Sequence, residues 1–314
     1  MDLDFEKNIV DLEQKIAELR GLPNAADPQI AEQIRDLEEK CMAEKKAVYS
    51  DLTAWQRVQV ARHPHRPALR DFISLAFTDF VELHGDRCFG DDEAIVGGFA
   101  CLDKYRVLLV GHQKGKTVEE NVRYNFGMAR PEGYRKALRL MRLAEKYRLP
   151  IITFIDTPGA YPGADAEERG QAEAIARNLT EMATIATPII SVVTGEGGSG
   201  GALGIGVADA ILMLSNAVYS VISPEGCASI LWRDGAKAPE AAEALKITSD
   251  SLLRLGIVDE VVPEPPGGAH RDYDGTAKAL KKSLMKRVHR LRHVSTKKLL
   301  ARRFEKYARI GRGR

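Results

Sequence analysis

The chain has 314 residues, 44% of them hydrophobic and 29% charged, with a net charge of +2. This ordinary globular profile allows one large domain plus an extension, or two domains, and makes a core that needs no disulfide or metal. Its four cysteines (Cys41, Cys88, Cys101, Cys227) form no C-x-x-C pair, no run of about 18 apolar residues occurs, and the acidic start Met1–Glu6 carries no signal stretch, which excludes a zinc ribbon and a membrane-spanning helix and gives a cytoplasmic location as the expectation.

Phe5, Ile9, Leu12, Ile16 and Leu19 follow a helical seam, which Gly21-Leu22-Pro23-Asn24 breaks. A second seam runs through Ile30, Ile34, Leu37, Cys41 and Val48. The pair predicts an antiparallel helical hairpin with a packing role and no chemistry. Ala94–Cys101 and Val107–Val110 are Val- and Ile-rich and predict strands. Helices are expected over Pro131–Tyr147, Ala166–Ala186 and Gly200–Asp209, and strands over Ile151–Ile155, Ile189–Thr194, Ala210–Leu214 and Val218–Ile222. Continuous apolar strands alternating with helices predict an α/β layered fold with largely parallel pairing.

One unit occurs twice. A buried strand ends in a Gly-rich stretch and a helix follows, first at Asp156-Thr157-Pro158-Gly159-Ala160-Tyr161-Pro162-Gly163 and again at Gly195-Glu196-Gly197-Gly198-Ser199-Gly200-Gly201. Sites in open α/β sheets lie beyond the carboxyl ends of strands, where both stretches are expected. Against a plain strand–helix turn stand three chemical readings of the second. Gly195, Gly197 and Gly200 fit G-x-G-x-x-G, but the strand after them ends in Ser215-Asn216-Ala217 with no acid for a ribose. Gly197-Gly198-Ser199-Gly200-Gly201 fits the G-x-S-x-G nucleophile elbow, yet the downstream histidines, His270, His289 and His293, show no acid partner. The third reading is an oxyanion hole of backbone N–H groups, supported by the start of the next helix, which needs no side-chain partner. Gly111-His112-Gln113-Lys114-Gly115-Lys116-Thr117 is one residue short of a P-loop and reads as a solvated basic loop, with Lys114 and Lys116 available to an anion.

Longer motifs in a fixed order carry more. Gly111-His112-Gln113-Lys114-Gly115, Asn125-Phe126-Gly127-Met128, Pro131–Met141, Phe154–Gly163, Ala166–Gln171, Gly195–Ala202 and Ser220–Trp232 together closely resemble the acetyl-CoA carboxylase carboxyltransferase alpha-subunit family, from Leu37 to His270. The resemblance implies a crotonase-like (ClpP/crotonase) fold of repeated ββα units, with a helical hairpin at 1–50, the carboxyltransferase domain at 51–275 and a basic helical extension at 276–314. It implies an enzyme that moves a carboxyl group from carboxybiotin to acetyl-CoA. It implies a beta-subunit partner that carries the zinc, in an α2β2 assembly, so that no metal belongs to this chain. Gly200 and Gly201 match the glycines whose N–H groups hold the ureido oxygen of carboxybiotin. Gly159, Ala160, Tyr161, Gly197, Gly198 and Ser199 are candidates to line the biotin side. Valine at Gly200 or Gly201 is then expected to lower turnover with the fold intact. The chain lacks an Ala-Met-Lys-Met biotinylation site, which Leu284-Met285-Lys286-Arg287 only echoes. Biotin is therefore expected on a separate biotin carboxyl carrier protein, with ATP used by a biotin carboxylase elsewhere in the complex.

From Thr276 to Arg314 fifteen Lys or Arg face one acid, Glu305, and the rest of the chain is net acidic. Nucleic-acid binding through this tail competes with a simpler expectation, a helix whose stripe Leu280, Leu284, Val288 and Leu291 packs while its charged face is solvated.

Overall fold

The computed structural model describes residues 3–312. The two N-terminal seams form α1 (Lys7–Arg20) and α2 (Pro28–Ser50), with Ile9, Ile16 and Cys41 buried between them. Asp27 caps α2 by accepting from the Gln29 amide, and Pro28 occupies the first helical position. A reciprocal Thr53–Gln56 box opens α3 (Ala54–Ala61), and α4 (Leu69–Ala76) leads into the sheet.

The sheet region runs β1 (Thr78–Glu82), β2 (Ile95–Leu102), β3 (Tyr105–His112), α5 (Val118–Arg123), α6 (Pro131–Lys146), β4 (Ile151–Thr157), α7 (Ala164–Glu168), α8 (Gln171–Thr184), β5 (Ile189–Gly198), α9 (Ser199–Leu203), β6 (Ala210–Leu214), β7 (Val218–Ser220), α10 (Pro224–Trp232), α11 (Ala238–Leu245), α12 (Ser249–Arg254) and β8 (Glu260–Val262). The strands lie in the order β1-β2-β3-β4-β5-β6-β8, with β7 on β5. The first two pairings are antiparallel and the rest parallel. All seven residues of β4 are buried, as expected of a parallel strand covered on both faces. The first half of β5 pairs with β6 and its glycine half with β7, so β5 joins two parts of the sheet.

Four expected boundaries move. Gly195–Gly198 is strand rather than loop. The helix after it is five residues long, Ser199–Leu203, and does not reach Asp209. The helix expected over Ala166–Ala186 is broken at Gly170, whose φ of +83° favours glycine. The strand expected over Val218–Ile222 ends at Ser220.

The basic tail forms two helices, α13 (Tyr273–Leu291) and α14 (Thr296–Arg309). Leu280, Leu284 and Val288 are fully buried in the main core, as their spacing predicts, and Leu291 packs against it. The charged face is not wholly solvated. Arg303 is 1% exposed; it pairs with Asp209 at 2.7 Å and donates to the carbonyls of Met182, Ile185 and Thr187 at 2.7–3.0 Å. A guanidinium satisfied in this way fastens α14 to the carboxyl end of α8, where a helix favours a cation.

Candidate functional site

The two Gly-rich stretches meet at the carboxyl ends of the neighbouring strands β4 and β5, where Thr157 pairs with Gly197. Most of the glycines there are dictated by packing. A Cβ on Gly195 would stand 2.7 Å from the Asp156 carboxyl carbon, and one on Gly197 would stand 2.6 Å from the Tyr219 ring. A Cβ on Gly198 would run into the backbone of Pro158, and one on Gly201 would lie 2.7 Å from the Gly159 carbonyl oxygen and the Ala160 nitrogen. The two stretches therefore touch backbone to backbone.

Gly200 and Gly159 differ. The nearest atom to a Cβ on Gly200 is Ile175 Cδ1 at 3.6 Å, an ordinary contact, and a Cβ on Gly159 would meet nothing within 4 Å. Neither φ is in the left-handed region, so neither position needs glycine for this chain's own packing. The amides of Gly200 and Gly201 lie in the first turn of α9, where an α-helix leaves N–H groups without an intrahelical acceptor. At five residues α9 is too short for a dipole argument, so any preference for a negative atom rests on individual N–H groups.

The other expected lining residues separate. Gly159 and Ala160 lie against Gly201, and Gly198 against Pro158. Tyr161 turns aside: its ring sits under Arg130, with 4.6 Å from the guanidinium carbon to the ring centroid, and its carbonyl accepts from Gln171. Gly197 faces the Tyr219 ring. Ser199 is exposed with φ +49°. It has no hydrogen bond to a histidine or a carboxylate among the described residues, so the nucleophile-elbow reading lacks its base. The dinucleotide reading fails as well, because Gly195 and Gly197 lie inside β5.

A compact charge cluster beneath the junction escaped the sequence reading. Lys114, expected as a solvated loop residue, is largely buried and bridges the ends of both strands, with its Nζ 2.8 Å from Asp156 Oδ1 and 3.0 Å from Glu196 Oε2. Arg62 Nε donates to the other Glu196 oxygen at 2.7 Å, and Arg62 also pairs with Glu225. Asp156 accepts from the Glu196 amide at 3.0 Å. Burial alone would lower Lys114, but the two carboxylates outweigh it and hold the ammonium well above its usual value. Burial would likewise raise Glu196, yet Lys114 and Arg62 pull it down to about 2. These residues border a cavity of about 270 Å3 with His63, Phe126 and Pro158. The only sequence signal was an acid at the end of each Gly-terminated strand.

Two neutral histidines flank the cluster. His112, at the end of β3, is held down to about 3 by burial and by Lys114. The backbones of Phe154 and Gly201 lie beside its ring, whose nitrogens have no hydrogen bond of normal geometry. His63 stacks on His270 with centroids 4.1 Å apart and is lowered to about 4 by burial and by His270. Lys116, the other loop lysine, pairs with Asp71 at 2.6 Å rather than facing solvent alone. Among the described residues no group of three or more His, Cys, Asp or Glu could hold a metal, and no helix is long and apolar enough to cross a membrane.

The family model for acetyl co-enzyme A carboxylase carboxyltransferase-like proteins matches residues 2–311. The acetyl-coenzyme A carboxylase carboxyl transferase subunit alpha of Methylococcus capsulatus is 59% identical over 304 residues, covering 97% of this chain and 95% of its own. That of Geobacter metallireducens is 55% identical over 310 residues, covering 99% and 97%. Among solved structures, the chain is similar to transcarboxylase 12S with a TM-score of 0.55 at 23% identity, over 70% of this chain and 42% of that one. It is also similar to a subunit of a Pseudomonas malonate decarboxylase hetero-tetramer, with a TM-score of 0.57 at 18% identity over 71% and 91%. These two likenesses establish the crotonase-like fold.

Proposed function

The chain belongs to the acetyl-CoA carboxylase carboxyltransferase alpha-subunit family, and on that premise we propose how its own residues serve carboxyl transfer from carboxybiotin to acetyl-CoA. The amides of Gly200 and Gly201 bind and orient the ureido oxygen, and their donation strengthens as negative charge develops there. One such donor contributes about 3–4 kcal/mol to the transition state. When bound, the ureido ring supplies the carboxyl group that is transferred. Gly159 and Ala160 form the opposite wall. The Lys114–Asp156–Glu196–Arg62 cluster fixes the strand ends that carry both walls, so the donors are preorganised.

The observation that carries this reading is the open space beside Gly200 and Gly159, set among glycines that packing dictates. No titratable side chain is offered as a base. His112 is buried and neutral, and among the described residues Ser199 makes no hydrogen bond to a histidine or a carboxylate. The substrate's own groups and a second polypeptide complete the site.

That second polypeptide is a zinc-bearing beta subunit, in an α2β2 assembly that receives biotin on a separate carrier protein and works with a biotin carboxylase in the cytosol. The exposed apolar side chains Val221, Ile230 and Leu231, at 75%, 71% and 64% accessibility, support a protein-facing surface next to β7 and α10. The units 1–50, 51–275 and 276–314 are kept as the organisation of the chain.

The test combines the chain with the beta subunit, carboxylated carrier protein and acetyl-CoA and measures malonyl-CoA. Gly200→Ala meets only ordinary contacts with Ile175, the nearer at 3.6 Å, so its thermal midpoint should hold or rise slightly while kcat falls by about a hundredfold. Unchanged turnover in that variant would remove Gly200 from the site, and no product from the folded wild-type mixture would remove the function.

A further inference from the structure

At the opposite edge of the sheet, where β4 and β5 begin, a cleft of about 690 Å3 lies between the β3 start, the end of α6 and the α13–α14 hinge. Its wall carries Lys104, Arg106, Arg148 and Arg292. Among the described residues none of the four has a carboxylate within ion-pair distance. The one acid in the wall, Glu145, is already committed: one oxygen accepts from Arg142 and the other from the Ala186 amide, both at 2.6 Å. Cations collected around a concave surface without counter-charges repel one another, and the arrangement is relieved when an anion enters.

Three further features point the same way. Arg292 and Lys104 both approach the buried Tyr105 ring, at 5.1 and 5.6 Å from its centroid, so one ring serves two like charges. α14 starts at the cleft wall with Thr296, and Ser295 makes no side-chain cap. Its first turn holds Lys297 and Lys298 and no acid, which is the wrong sign for the amino end of a helix unless a negative group sits there. Arg148 has φ +55°, a backbone conformation that favours glycine, yet it carries a long cationic side chain into the wall.

The geometry points to a binding site for a small oligophosphate, a ligand with two or more linked phosphate groups. Three guanidinium groups suit paired phosphate oxygens. The volume exceeds what one phosphate fills and falls in the range of small-molecule sites. The cleft is separated from the Gly junction by the length of β4, roughly 20 Å at the usual rise per strand residue.

Calorimetric titration of the full chain with inorganic tripolyphosphate at low salt tests this. Saturable one-to-one binding is expected, weakened at least about tenfold in Arg292→Ala and in Arg148→Gly. Arg148→Gly relieves the positive φ, so its thermal midpoint should hold or rise while affinity falls, which separates ligand loss from misfolding. The double variant Lys278→Ala/Lys282→Ala removes two charges from an exposed part of α13 outside the cleft and should bind as wild type. Absence of saturable binding, or equal weakening in the Lys278/Lys282 control, would overturn the site. Tighter binding of a short single-stranded RNA with the same dependence on Arg148 would overturn the small-ligand assignment.

Discussion

The two ends of the same parallel strands handle charge in opposite ways. At the carboxyl ends of β4 and β5, Lys114 and Arg62 are answered by Asp156, Glu196 and Glu225. At the amino ends, Lys104, Arg106, Arg148 and Arg292 line a cleft in which the one acid among the described residues, Glu145, is engaged elsewhere. The balanced end leaves the reading of a ligand to neutral amides held at fixed positions. The unbalanced end keeps a positive field that reaches any small anion nearby. Preorganised dipoles serve chemistry on one developing charge, and an uncompensated cation cluster serves capture.

Removing one partner from the balanced end should have the largest effect. Lys114→Met leaves Asp156 and Glu196 side by side without their shared cation, and should cost about 3–5 kcal/mol in urea unfolding. A loss under about 1 kcal/mol would mean that the cluster is not what holds the strand ends. Gly201→Ala comes next, because its Cβ would enter the Gly159–Ala160 backbone. A loss of about 1–3 kcal/mol, or failure to fold, is expected. This corrects the expectation that valine at either glycine spares the fold, because at Gly201 even a Cβ has no room.

Acid should sharpen the contrast more gently. His63 and His112 have folded values of about 4 and about 3 against an ordinary 6.5. Below pH 6.5 the unfolded chain therefore binds protons that the folded chain refuses, and stability falls with pH until those folded values are reached. The slope is about 1.4 kcal/mol per pH unit for each histidine. Unfolding free energies between pH 6.5 and 5 measure it, a window above the range where Glu196, held at about 2, loses its own contribution. His112→Leu should remove about half of the slope, and an unchanged slope would show that His112 is not the group titrating. The smallest stability change is expected for Gly200→Ala, a gain of up to about 1 kcal/mol from helix propensity alongside its loss of turnover.

Much of the scaffold was legible in the sequence. Ile151–Ile155, Ile189–Thr194 and Ala210–Leu214 are continuous apolar runs and are strands. The N-terminal seams and the Leu280, Leu284, Val288 stripe have helical spacing and are helices. Strands β1 and β8 were not expected, because Thr78–Glu82 has only Phe80 and Val81, adjacent rather than alternating, as apolar residues, and Glu260–Val262 is three residues long. The strand character of Gly195–Gly198 was hidden because glycine propensity opposes it, and it is overridden by pairing with β7 at Glu196, Gly197 and Gly198 and with β4 at Gly197. Local pattern also sends lysine and arginine outward. Lys114 is drawn largely out of solvent and Arg303 is fully buried because carboxylates and carbonyls far away in sequence reach them.

The sequence by itself determined the central apolar strands, the amphipathic helices, the family and the two Gly-rich stretches, because apolar periodicity and long ordered motifs are local properties of the chain. Tertiary structure alone decided which glycines are forced by a neighbouring backbone and which stand beside open space, and which cations are neutralised. Steric contact and Coulomb attraction act between groups 40 and 134 residues apart here, as in Glu196 with Asp156 and Arg62, and no local pattern encodes such distances.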